Sequence, residues 1–129
     1  MMVVDTSVFI DYFNGRESAQ TSTLDDLLGK ELIVVGDVVM MELLQGFRSE
    51  RDFKTALSLL SQLENRSFLS TELAIKYAEM YRLLRSKGVT IRKSMDTIIA
   101  GYCIIHKLSL LQTDRDFEPF QNHLGLKLV

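Results

Sequence analysis

Cysteine is almost missing from this sequence. Cys103 is the only one, so no intrachain disulfide framework exists. It lies inside an apolar run, which suits a reducing, cytoplasmic setting. Proline is equally scarce, with Pro119 alone, and no Ser/Gly-rich linker, repeat or low-complexity tract marks a boundary. A single domain over residues 1–129 is therefore expected. Long hydrophobic runs are missing too. The longest apolar stretch, Ile98 to Ile105, is far short of a bilayer span. No secretory leader is expected from Met1-Met2-Val3-Val4-Asp5, which lacks a basic segment and reaches an acid at once. Only two histidines occur, His106 and His123, and neither has an evident partner for acid–base work. No glycine-rich phosphate loop, dinucleotide fingerprint or serine nucleophile elbow is present.

Hydrophobic residues make up 47% of the 129, enough for a core without covalent staples. Net charge is −2, which argues against a generally basic nucleic-acid binder. The charge is nevertheless uneven. Arg82, Arg85, Lys87, Arg92 and Lys93 follow one another with no acid among them. Such a segment is either a solvated helix face and loop or a footprint for a polyanion beside an acidic site.

Periodicity predicts alternating strands and helices. Met1–Val4 and Leu32–Val35 read as buried strands, Leu108–Gln112 and Leu126–Val129 as further ones, and Arg66–Leu69 as a weak one. Helices are expected at Val8–Phe13, Thr21–Leu28, Val38–Phe47 and Arg51–Leu63, with Asp37 as the N-cap of the third. A long helix from Ser70 or Thr71 to Ser86 carries the stripe Leu73, Tyr77, Met80, Tyr81 and Leu84. The helix Met95–His106, capped by Ser94, is apolar nearly all round and should be central. A turn and a short helix complete the pattern between Asp114 and His123. The alternation predicts an α/β domain with a mostly parallel sheet, in which ligands gather at the carboxyl ends of the strands.

That rule selects Asp5, directly after Met2-Val3-Val4, and Asp114, after Leu110-Leu111-Gln112-Thr113. Three more acids stand out. Glu42 interrupts the apolar run Val38 to Leu44, where a carboxylate needs a compensating cation or an exposed position. Asp96 opens the most hydrophobic helix. Asp116 follows Asp114 by two residues. Each has an ordinary alternative: a cap or Asx turn for Asp5, an exposed point on an amphipathic helix for Glu42, a dipole interaction for Asp96, a cap for Asp116. As a set they suggest converging carboxylates, which repel one another unless a cation neutralises them. Hard divalent cations suit all-oxygen sites, and their natural chemistry is phosphodiester hydrolysis.

Four segments then resemble, in order, the motifs of PIN domains in VapC toxins. They are Met2-Val3-Val4-Asp5-Thr6-Ser7-Val8-Phe9-Ile10-Asp11, Met41-Glu42-Leu43-Leu44-Gln45-Gly46-Phe47-Arg48, Ile91-Arg92-Lys93-Ser94-Met95-Asp96-Thr97-Ile98-Ile99-Ala100 and Leu110-Leu111-Gln112-Thr113-Asp114-Arg115-Asp116-Phe117. The resemblance covers essentially the whole chain. It implies a three-layer α/β/α fold and a metal-dependent endoribonuclease toxin, loaded with Mg²⁺ or Mn²⁺. The implied partners are RNA, a VapB-like antitoxin and a second copy of the chain, with no membrane.

Carried over by position, Asp5, Glu42, Asp96 and Asp114 are the catalytic quartet and Asp116 an auxiliary metal acid. Ser7 matches a hydroxyl near the metal, and Arg92, Lys93 and Arg115 are candidates for the RNA backbone. Gln112 stands where many members have Thr, which leaves Thr113 as the other candidate for an orienting group. Rival folds with Asp after the first strand fit less well. A haloacid-dehalogenase-like phosphatase needs an acid at position 7, where Ser7 stands, and a receiver domain needs a phospho-accepting Asp for which Asp37 is a poor substitute.

Overall fold

The computed structural model describes residues 1–129. β-branched and leucine-rich runs form five short strands: β1 (Met2–Val4), β2 (Ile33–Gly36), β3 (Glu64–Arg66), β4 (Ser109–Leu111) and β5 (Lys127–Leu128). All pair in parallel, in the order β3-β2-β1-β4-β5. β2 and the inner ends of β1 and β4 are buried, as parallel strands covered on both faces must be.

Helices fill every connection. They are α1 (Thr6–Phe13), α2 (Ala19–Leu27), α3 (Asp37–Leu44), α4 (Glu50–Ser61), α5 (Thr71–Ser86), α6 (Ser94–His106) and α7 (Glu118–Leu124), the last preceded by a 3₁₀ turn at Arg115–Phe117. The chain starts in the middle of the sheet, builds outward to β3, then crosses back to β4 and β5. Right-handed crossovers in opposite directions put α1–α4 on one face and α5–α7 on the other. The contacts agree: α1 packs on α2 and α3, α3 on α4, and α5 on α6. The result is the expected three-layer α/β/α sandwich around one cluster of 24 buried apolar residues. No helix is long and apolar enough to cross a membrane.

The central helix is α6, as its composition requires. Ile99, Ala100, Tyr102 and Cys103 are buried in the core. Gly101 permits a close approach to α5, since a Cβ there would lie 2.4 Å from the Tyr77 ring. Tyr77 in turn donates its hydroxyl to the Phe68 carbonyl at 2.7 Å, and Phe68 stacks on Tyr102 at 3.9 Å.

Four local expectations shift. β3 is Glu64–Arg66 rather than Arg66–Leu69, because pairing with Val34–Gly36 sets the register while Phe68 leaves the sheet for the core. Asp37 is the first helical residue and Gly36 the cap. The Asp37 Oδ1 accepts instead from the amides of Val38 (2.8 Å) and Phe68 (2.9 Å), tying the loop after β3 to α3. Ser94 likewise lies within α6, whose cap is Lys93 without a side-chain bond. The cap before the 3₁₀ turn is Asp114, not Asp116.

Candidate active site

The sheet order reverses between β1 and β4, and a crevice opens where their carboxyl ends diverge into different layers. Asp5 leaves β1 at this point, its amide donating to the Leu111 carbonyl of β4 at 2.9 Å. Its extended backbone makes it the N-cap of α1, so capping and a site role coexist in one residue. The residue is 6% exposed, and its carboxylate accepts from the Ser7 amide at 3.2 Å and the Ser7 hydroxyl at 2.5 Å. Thr113 extends this chain by donating its hydroxyl to Ser7 Oγ at 3.0 Å. Thr113, rather than Gln112, is therefore the hydroxyl that reaches the Asp5 network.

α6 runs back toward its strand, which brings its N-terminus to the same end of the sheet. Asp96, in the first turn, is 4% exposed, and its Oδ2 is buried without any hydrogen-bond partner. Asp114 follows β4 and accepts at Oδ1 from the Asp116 amide at 2.9 Å, leaving Oδ2 for other partners. Glu42, on α3, completes a cleft of about 270 Å³ that it shares with Asp5, Ser7, Lys93, Asp96 and Asp114. The exposed point on a surface helix is thus not Glu42, which is half-buried, but its neighbour Met41 at 58% exposure.

Asp116 sits at the rim. One oxygen each from Asp96, Asp114 and Asp116 lies within 4.8 Å of the others, an arrangement able to hold a cation. Burial, with smaller contributions from Asp5, Asp114 and Asp116, pushes the Asp96 carboxyl up to about 6, against the opposing pull of Lys93. Burial also raises the Asp5 carboxyl, and Glu42 adds to this, although the Ser7 hydrogen bonds act the other way. Two buried carboxyls strained in this direction, one with an unpartnered oxygen, mark a place short of positive charge. An all-oxygen donor set of this kind fits a hard divalent cation.

Two of the three basic candidates, Arg92 and Lys93, pair with the acids. Lys93 Nζ lies 3.4 Å from Asp114 Oδ2 and 4.0 Å from Asp96 Oδ1. Arg92 pairs with Asp116 at 2.8 Å. Arg115 is exposed beside the site. None of these pairings was visible from the basic segment alone, because the acids they meet lie up to 24 residues away. Cys103 is buried and its thiol is pushed up to about 12 by that burial, which removes it as a nucleophile.

A central parallel sheet with carboxylates collected at its switch point defines an α/β domain with an acidic site of the kind that suits a divalent cation. The PIN domain family matches residues 2–121, and the chain belongs to that family. Among similar proteins, VapC ribonuclease Mb1587 of Mycobacterium bovis is 29% identical over 123 residues, covering 92% of this chain and 90% of that protein. Ribonuclease VapC1 of Methanocaldococcus jannaschii is 28% identical over 127 residues, covering 98% and 85%. The fold is also similar to that of VapBC2 from Rickettsia felis bound to a DNA fragment from its promoter. The TM-score is 0.78 at 23% identity, over 99% of this chain and 96% of that one.

Proposed function

We propose that this chain is the toxin of a toxin–antitoxin pair, a single PIN domain over residues 1–129 acting in the cytoplasm as a divalent-metal-dependent endoribonuclease. The observation that carries the reading is the cleft shared by Asp5, Glu42, Asp96 and Asp114, in which the buried Asp96 Oδ2 has no hydrogen-bond partner. The similarity to VapC ribonucleases along nearly the whole chain supports RNA as the substrate.

Asp5, Asp96 and Asp114 are the residues that would hold Mg²⁺ or Mn²⁺, with Asp116 at the rim. The cation supplies charge neutralisation at the phosphate and a more acidic water. Ser7, itself held by Thr113, fixes the Asp5 carboxylate in one orientation. Glu42 accepts the proton of the attacking water at its carboxylate or orients that water. Arg92, Lys93 and Arg115 meet the RNA backbone once their acidic partners are engaged elsewhere. Hydrolysis of this type leaves 5′-phosphate and 3′-hydroxyl ends.

A VapB-like antitoxin fits as the inhibitor, laying an amphipathic segment near the cleft and placing a basic group among the acids. Lys93 already demonstrates that an ammonium group is accommodated there. For the homodimer, Met41 and Leu57 are exposed apolar residues on the helices between Thr21 and Leu63, where a self-contact is expected.

The test is cleavage of end-labelled total RNA by antitoxin-free protein, with Mg²⁺ or EDTA, beside Asp5→Asn and Asp96→Asn. Discrete products that require metal and disappear in both variants are expected. Products ending in 2′,3′-cyclic phosphate would overturn the mechanism, since the RNA's own 2′-hydroxyl would then be the nucleophile.

A further inference from the structure

A second cleft adjoins the acidic one and shares Asp114 as its wall. Its volume is about 320 Å³. Four side-chain amides line it: Gln20 from the start of α2, Gln112 from the end of β4, and Gln121 and Asn122 from α7. These residues are scattered over the chain, and the fold brings them to one side of Asp114.

The lining selects against an anion. Arg115 is the only cation, and Asp114 and Glu118 oppose it. A phosphate would therefore be repelled on balance, while a neutral ligand with donors and acceptors would not. Carboxamides offer both functions in one plane, which is why they read the edges of nucleobases. The amides are also free to do so. Local hydrogen bonds run through Thr113, Asp114 and Asp116, while Gln121 and Asn122 are exposed. The Gln112 Oε1 is buried without a partner, so it meets a ligand only when its amide turns into the cleft. The volume lies at the small end of the range for ligand sites, enough for one base rather than a folded RNA element. RNA-reading proteins commonly take single-stranded bases in this way, splayed out and hydrogen-bonded at their edges.

We propose that the amide cleft is a base-reading subsite, holding one nucleobase immediately next to the phosphate cut at the acidic cleft. This rests on the ribonuclease reading above. It assigns specificity to Gln20, Gln112, Gln121 and Asn122, and leaves the carboxylates with the chemistry alone.

The experiment cleaves a randomised-sequence RNA pool with wild-type protein, Gln121→Met and Asn122→Leu, and sequences the ends. Mg²⁺ binding is titrated in parallel. Gln121 and Asn122 are both exposed on α7, so the variants keep the fold. The wild type is expected to prefer one base at a fixed position flanking the cut. Loss of one edge contact reduces that preference by about tenfold, with Mg²⁺ affinity unchanged. A wild-type profile without base preference, or one that both variants retain, overturns the subsite while leaving the nuclease intact. Loss of Mg²⁺ binding in the variants also overturns it, by making these residues part of the metal site. Absence of any cleavage by the wild type removes the ribonuclease reading itself, and the subsite with it.

Discussion

At the scale of single residues, the site is built from groups the folded state holds at a cost. Asp96 is the clearest case. Its buried Oδ2 lacks a partner, and burial lifts its carboxyl from 3.8 to about 6. Between those values the folded chain keeps a proton that the unfolded chain has released. Stability of the metal-free protein therefore falls as pH rises through this window. Metal binding requires the ionised carboxylate, so Mg²⁺ affinity should rise over the same interval and binding should release protons. Calorimetric titration in two buffers of different ionisation enthalpy measures that release. Asp96→Asn removes the buried charge. Its melting temperature in EDTA should equal or exceed that of the wild type, while RNA cleavage falls by roughly 100-fold or more. A variant that melts much earlier would show Asp96 to be structural.

Lys93 partly offsets the same deficit. Its ammonium group sits against Asp114 and Asp96, and Asp96 foremost holds it above its usual range. It is largely exposed, so the pairing is worth about 0–1 kcal/mol. Lys93→Met is expected to lower the metal-free melting temperature slightly and to tighten Mg²⁺ binding, because a competing cation is gone. Binding of RNA should weaken in the same variant. Weaker Mg²⁺ binding would instead mean that Lys93 holds the acids in place for the ion.

At the scale of elements, the decisive contact is α5 against α6. Gly101 lets the Tyr77 ring rest on the α6 backbone, and the Tyr77 hydroxyl fixes Phe68. Gly101→Ala would drive a methyl group to 2.4 Å from that ring. Overpacking of this kind costs about 1–3 kcal/mol, which thermal unfolding will report as a lower melting temperature. The damage should reach the site, since Asp96 lies on the first turn of the same helix. A matching loss of Mg²⁺ affinity is expected. Unchanged affinity would mean that the first turn of α6 is positioned by the loop before it.

At the scale of the molecule, the switch point of the sheet makes one site from four separate segments. An ion that binds only the folded arrangement must stabilise the whole chain. At a Mg²⁺ concentration of 100 times its Kd the gain is about 2.7 kcal/mol. Differential scanning calorimetry should therefore show a Mg²⁺-dependent rise in melting temperature for the wild type. Asp5→Asn and Asp96→Asn should show little or none. An equal rise in all three proteins would indicate ion binding away from these acids.

Much of this arrangement was legible beforehand. Asp5 and Asp114 follow from the rule that ligands collect where parallel strands end, and that rule needs only apolar runs and their boundaries. The layers follow from the alternation of strands and helices. Glu42 and Asp96 stand out by their apolar surroundings, and the resemblance of their flanking motifs separates them from ordinary surface acids. β3 was misplaced because an edge strand of Glu64-Asn65-Arg66 has no hydrophobic signature, and only pairing with β2 defines it. Asp37 and Ser94 satisfied the composition rule for caps, yet the backbone turned one residue earlier in each case.

Local sequence thus determined the four apolar strands, which helix is central and which acids stand at strand ends, because burial and periodicity act over a few residues. The tertiary structure alone decided the rest. It joined Thr113 to Ser7 across 106 residues, set Arg92 on Asp116 and Lys93 on Asp114, and gathered Gln20 with Gln121 and Asn122. Those contacts depend on chain crossover and side-chain reach, and no spacing along the chain encodes them.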